Sequence, residues 1–413
     1  MSIRKKLSYN LLIQAIGPIL SFLTIFLIAR IGGPKTQGYY ASISAWINFA
    51  VVVGIFGFPQ SFIYLINKMN TSPKILIKGS YFYSILFLLL FIPVIFVLIS
   101  NNLINSIVIS TNIQVFILGV PIAILILHGL LRGIYLTYNQ SILFAIFSIL
   151  PACILFLFVF IGLIFKYLNF QLIYLISSIP LLVIIILMMR PLVNDNKNND
   201  YIKKISWKIL FNHGINTFLQ ALFLASQPII AYWIINKYIG GTIEIGYFNL
   251  GLFLVQGLLV PISMIAPLLF EHWTKNSNYR SIVKINKFKF FILEFILGCL
   301  LALSLQYIIP IIFGFEYIKS IRVAQILIIA TPIIFHTRIL IPAIHSKGHP
   351  IINTYTGFLR LILFVIISYT WLKLVDHGLT GLAIAWSLSE LIVAVISIIL
   401  FNKLFKDEYL YIT

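Results

Sequence analysis

"IARIGGPKTQGYY" (residues 28–40) and "KYIGGTIEIGYFN" (residues 237–249) decide how this chain is organised. Each follows a long apolar run and writes Ile-Gly-Gly, four free positions, then Gly-Tyr. A shift of 208 residues carries Ile31, Gly32, Gly33, Gly38 and Tyr39 onto Ile239, Gly240, Gly241, Gly246 and Tyr247. The same shift carries Pro59 onto Pro267, and it brings Pro18 within two places of the image of Pro228 and Arg132 within two places of the image of Arg338. Any short hairpin favours glycine, but matched spacing at half the chain length reads as a duplicated unit. In each copy the paired glycines are expected to allow positive φ and a tight helix exit, with Gly-Tyr restarting the next helix at headgroup level.

The runs around these turns set the class. Of 413 residues, 61% are hydrophobic and 9% charged. Apolar stretches of about 18 residues or more fill the chain, the signature of a polytopic membrane protein. Twelve spans are expected, at 9–30, 40–66, 79–100, 112–134, 141–165, 170–190, 209–236, 247–270, 288–312, 320–344, 352–373 and 380–401. The opening "MSIRKK" leads into a stretch too long for a signal-peptide core, so it reads as an uncleaved first span. The net charge of +19 does not imply nucleic acid. With the N-terminus cytoplasmic, Lys and Arg are about three times more frequent in inner than in outer segments, which predicts both termini inside.

The expected architecture is all-α: a six-helix lobe over 1–190, a cytoplasmic linker over 191–208 and a second lobe over 209–413. Six is even, so the lobes form a parallel repeat, with substrate sites expected between them near the midplane. Pro18, Pro59, Pro228 and Pro267 fall in the first two helices of each lobe, where freed carbonyls need protein or water as partners.

Ionisable groups inside spans are functional candidates because burying them costs several kcal/mol, by about 3 on insertion scales. Arg30 ends span 1, and Arg132 and Arg338 lie near the inner ends of spans 4 and 10; each suits either a cavity wall or snorkelling to headgroups. Arg360 and Glu390 lie at similar depth in adjacent spans and suit an ion pair, with a cargo or coupling role as the alternative. Glu294 suits pairing with Arg338 or a coupling ion. Gln60, Tyr64, Gln227 and Asn249 are candidates for sugar hydroxyls, each with interhelical hydrogen bonding as the plainer reading. Residues 1–194 contain no Asp or Glu, which favours an anionic cargo over a cationic one. Gly348 and Pro350 break any shared helical face for His345 and His349, and Cys153 and Cys299 lie in apolar runs, so no metal or disulfide framework is expected. No cofactor or catalytic motif appears, leaving an H⁺ or Na⁺ gradient, the membrane potential or cargo supply as the energy source.

"LIARIGGPKTQGYYASISAW" resembles the span 1–2 signature of polysaccharide flippases of the Wzx type, in the multidrug/oligosaccharidyl-lipid/polysaccharide exporter superfamily. "AIHSKGHPIINTYTGFLRLILFVIISYTWLKLVDHGLTGLAIAWSLSELI" resembles that family's span 10–12 region, through Gly348, Pro350, Gly378, Gly381, Ala383 and Ala385; His349 stands where a Lys is frequent. The resemblance implies a MATE-like fold in a bacterial cytoplasmic membrane. It implies a flippase for undecaprenyl-diphosphate-linked repeat units serving O-antigen or capsule synthesis, working by alternating access beside other polysaccharide-assembly proteins. "IARIGG" also resembles peptidoglycan lipid II flippases, which implies that Arg30 faces the cavity. The rival readings are a cation-coupled multidrug exporter of the same superfamily and a membrane O-antigen polymerase. The first expects acidic residues in the first lobe, and the second a long outer loop.

Overall fold

A computed structural model describes residues 3–69, 71–100, 112–137, 141–166, 168–194, 207–276, 288–347, 349, 351–374 and 378–405. The order is α1 (Ile3–Ile55), α2 (Phe58–Met69), α3 (Pro73–Ser100), α4 (Asn112–Thr137), α5 (Ser141–Ile164), α6 (Phe170–Asn194), α7 (Trp207–Ile234), α8 (Thr242–Asn276), α9 (Phe288–Ile312), α10 (Ser320–Ser346), α11 (Ile351–Leu374) and α12 (Leu379–Leu404). A π turn, Ile235–Ile239, follows α7, and a 3₁₀ turn, Phe315–Tyr317, precedes α10.

Eleven segments are long and apolar enough to cross a membrane. The first, Leu12–Ile63, has 52 residues, which is about 78 Å of helix against a hydrocarbon core of about 30 Å. It is broken at Gly33 (φ 71°), so it divides into two crossings. The helix surfaces are apolar outside as well as inside: Phe82 is 69% and Ile311 75% exposed. Water would not tolerate such a surface, whereas acyl chains do. Hydroxyls inside the helices are returned to their own backbone, as where Ser80 Oγ donates to Leu76 O at 2.8 Å and Ser148 Oγ to Phe144 O at 2.6 Å.

The two glycine motifs fold differently. In the first, only Gly33 takes positive φ, and the helix resumes at once at Pro34, whose fixed φ and missing N–H suit a first helical position. The second span therefore starts before the expected residue 40. In the second motif Gly240 is extended (φ −176°) and α8 starts at Thr242. Glu244 Oε2 accepts the Gly241 N–H at 2.8 Å, half of a capping box. Gly38 and Gly246 are thus helical, and their part is close approach. A methyl on Gly38 would strike the Thr242 carbonyl oxygen, and one on Gly246 the Pro34 carbonyl oxygen.

By packing, the chain forms two compact units: residues 1–31 with 42–225, and residues 32–41 with 226–413. In the first unit, the span that starts at Pro34 breaks again at Phe56 (φ 49°) and Gly57 (φ 69°) before α2. Positive φ is strained for a bulky residue. Phe56 is held there by stacking on Phe218 of α7, with centroids 4.2 Å apart, and by edge contact with Phe211 at 5.4 Å. Gly57 lies against the Gly214 carbonyl, where any side chain would clash, and Ser61 Oγ donates to Leu210 O at 2.8 Å. The described part of the second unit centres on α10, which packs on α8, α9 and α12. At one end Trp273, Leu340, Ile344, Phe401 and Phe405 form a buried cluster, and Lys347 Nζ donates to Leu404 O at 2.7 Å, capping the end of α12.

Candidate functional site

In the first unit, three polar side chains of α4 meet their neighbours. Proline at position 151 has no N–H, so the Phe147 carbonyl of α5 lacks its helical donor. His128 supplies one: its Nε2 lies 2.7 Å from Phe147 O, which requires the N–H on that nitrogen, and its ring stacks on Phe147 at 4.5 Å. One turn on, the Arg132 guanidinium lies over the Phe144 ring, 4.9 Å from the centroid. Tyr135 then donates to Met188 O of α6 at 2.7 Å. Thus α4 holds α5 and α6 through its polar stripe. Arg30 and Gln60 are exposed, and Arg30 makes no ion pair or hydrogen bond among the described residues. The side chain of Tyr64 lies outside the described residues.

In the second unit, Tyr232 donates to Asn249 Oδ1 at 2.7 Å, joining α7 to α8. Gln227 is 2% exposed, and its Nε2 has no partner among the described residues. Arg360 of α11 and Glu390 of α12 form the ion pair that their depths predict, with Nε 2.9 Å from Oε2. The Arg360 N–H is not aimed along that line, so Nε makes no hydrogen bond. Arg338 of α10 is close enough for both charges to act on it. The side chain of Glu294 lies outside the described residues. Pro18, Pro228 and Pro267 lie within helices, and Pro59 is the second residue of α2. Gly32 is partly buried one turn from Thr36.

Sequence reading passed over several residues. Asn353 and Ser368 of α11 are buried with polar atoms lacking a partner among the described residues. The same holds for Gln37, which is 0% exposed. The 208-residue shift that aligns the two glycine motifs also carries His128 onto His336, and both are buried. Outside the spans, burial pushes the Tyr317 phenol well up, with the Glu316 carboxylate and Tyr247 adding to the effect. Among the described residues no three His, Cys, Asp or Glu side chains converge as a metal site would need.

No family model matches the sequence, and no curated protein matches it. Solved structures do match in fold. An inward-facing conformation of a multidrug resistance MATE family transporter of the MOP superfamily aligns with TM-score 0.73 at 12% identity, covering 97% of this chain and 99% of that one. An outward-facing conformation of such a transporter aligns with TM-score 0.69 at 14% identity, covering 99% and 97%. A MATE structure in the straight conformation aligns with TM-score 0.68 at 14% identity, covering 98% and 95%. The chain therefore has the all-α membrane fold of MATE transporters over almost its whole length.

Proposed function

We propose that this protein is a flippase that moves undecaprenyl-diphosphate-linked oligosaccharides from the inner to the outer leaflet of a bacterial cytoplasmic membrane, by alternating access. The observation that carries the reading is charge. Residues 1–194 hold no carboxylate side chain, while Arg30 and Arg132 lie in their apolar helices. Guanidinium groups bind phosphate oxygens with paired, charge-assisted donors, and a cationic drug would meet only repulsion there. Alternating access is supported by the fold, which occurs in inward-facing and outward-facing forms. The halves proposed to move are 1–190 and 209–413, joined by a cytoplasmic linker, with both termini inside. The cargo units would feed O-antigen or capsule assembly, with other assembly proteins as partners, and H⁺ and Na⁺ both stand as coupling ions.

A second reading is a cation-coupled multidrug exporter, favoured by the drug-resistance function that the matching structures carry in their names. The discriminating experiment is depletion of the protein followed by mass spectrometry of lipid-linked oligosaccharides. A flippase leaves complete repeat units on the lipid in the inner leaflet. Unchanged lipid-linked oligosaccharides with raised drug sensitivity would select the exporter. In the same assay Arg30→Ala should abolish surface glycan and Arg30→Lys retain part of it; wild-type glycan in both would remove Arg30 from the mechanism.

A further inference from the structure

The second span is one helix tied at both ends. Residues 34–55 run from Pro34 to the break at Phe56, about 33 Å, and no non-helical residue interrupts them. By packing, residues 34–41 of this helix belong to the second unit and residues 42–55 to the first. An unbroken helix moves as a rod, because each interior N–H is held by the carbonyl four residues back. The movement proposed for the halves 1–190 and 209–413 must therefore undo at least one tie.

The two ties differ in kind. At the far end Phe56 and Gly57 hold positive φ, and Phe56 stacks on Phe218 at 4.2 Å. Gly57 lies on the Gly214 carbonyl, and Ser61 Oγ donates to Leu210 O at 2.8 Å. Freeing that end would undo a strained turn, a ring stack and a hydrogen bond together. At the near end the contact is backbone on backbone. Gly38 lies against Thr242 O, and Gly246 against Pro34 O. Adding 208 to 34 and 38 gives 242 and 246, so each contact is the image of the other under the repeat. Small residues let helices approach this closely, and faces that meet through backbone part and rejoin without repacking rotamers. Gly33, at φ 71°, supplies a joint directly before the near end.

We infer that the contact of residues 34–38 with 242–246 is a clasp that opens in the transport cycle. Helix 34–55 keeps its place in the first unit, and its first two turns leave the start of α8 when the protein changes state. The structure holds the clasped form. The inference rests on alternating access, which the flippase and exporter readings share, and takes nothing from the identity of the cargo.

The test is double electron–electron resonance on the full chain in nanodiscs, with Cys153→Ser and Cys299→Ser, and spin labels attached at exposed positions. Lys35→Cys with Ile243→Cys reads the clasp. Asn48→Cys with Leu157→Cys reads whether the same helix keeps its place in the first unit. The clasp pair should show a short main distance and a longer minor one, and the reference pair a single distance. Gly38→Ala and Gly246→Ala each set a methyl against a carbonyl in the clasped form alone. Each should raise the longer population about tenfold over the shorter, by the same amount, with the reference distance unchanged. That unchanged distance also shows that the variants are folded. A single short clasp distance in the parent and both variants overturns the inference. So does a clasp pair that stays fixed while the reference pair lengthens, which would assign the whole helix to the second unit. No cargo is added, so either result leaves the flippase reading to the depletion experiment.

Discussion

The polar stripe of α4 and that of α11 treat buried polarity in opposite ways. On α4, in the first unit, the buried His128 and Tyr135 each hydrogen-bond a carbonyl of α5 or α6, and the exposed Arg132 lies over a ring of α5. On α11, in the second unit, Asn353, Arg360 and Ser368 each keep an atom without a hydrogen bond among the described residues. Gln37 and Gln227, which also keep such atoms, belong to the second unit too. A finished network fixes helix positions, and an unfinished one keeps its donors available to a ligand. The two units thus differ in how fully the described neighbours satisfy their buried polar side chains.

Charge gives the largest expected contrast. Arg360→Leu removes the guanidinium 2.9 Å from the buried Glu390 carboxylate and should destabilise by about 3 kcal/mol. Arg360→Leu with Glu390→Leu removes both charges and should return stability close to wild type or above it. In the first unit, Arg132→Leu loses a ring contact and should cost about 1 kcal/mol. Unfolding of purified protein in detergent reads all three. A single Arg360→Leu as mild as Arg132→Leu would erase the distinction between the units.

Backbone contact comes next. Gly246→Val drives its side chain into the Pro34 carbonyl, which cannot rotate away, and should cost about 3 kcal/mol, the upper end of ordinary overpacking. Gly241→Val is the control, since a Cβ there meets nothing within 4 Å. Equal loss in both would show that turn conformation, and not close approach, is what the second glycine motif supplies.

These two motifs also mark what was legible beforehand. Apolar run length located the helices, because a helix in lipid must be apolar for about 20 residues whatever its tertiary contacts. The pairing of Arg360 with Glu390 was readable from depth along consecutive helices. The role of Gly38 and Gly246 was not, because an identical spacing gives positive φ at Gly33 and an extended Gly240. Only the contact of residues 34–38 with 242–246 explains why glycine is needed at both places. Asn353 and Ser368 were hidden for a similar reason. Among so many apolar residues, a single Asn or Ser reads as a helix-to-helix hydrogen bond until its surroundings are known. His128 could have been found, since Pro151 on the next helix announces a carbonyl in need of a donor.

His128 therefore carries a prediction of intermediate size. His128→Phe keeps the stacking but leaves the Phe147 carbonyl buried without a donor, at a cost of about 2 kcal/mol. Adding Pro151→Ala restores a backbone N–H to that carbonyl and should recover most of the loss. No recovery would mean that His128 acts by filling space rather than by completing the helix that Pro151 interrupts.

The smallest effect is the most discriminating. Tyr135→Phe removes a donor whose acceptor is already present and should cost about 1 kcal/mol. Asn353→Leu removes a donor that has no hydrogen-bond partner among the described residues, so stability should stay within about 0.5 kcal/mol of wild type or rise. If Asn353→Leu instead lost as much stability as Tyr135→Phe, the amide of Asn353 would be as fully partnered as the phenol of Tyr135, and the contrast between α11 and α4 would fall.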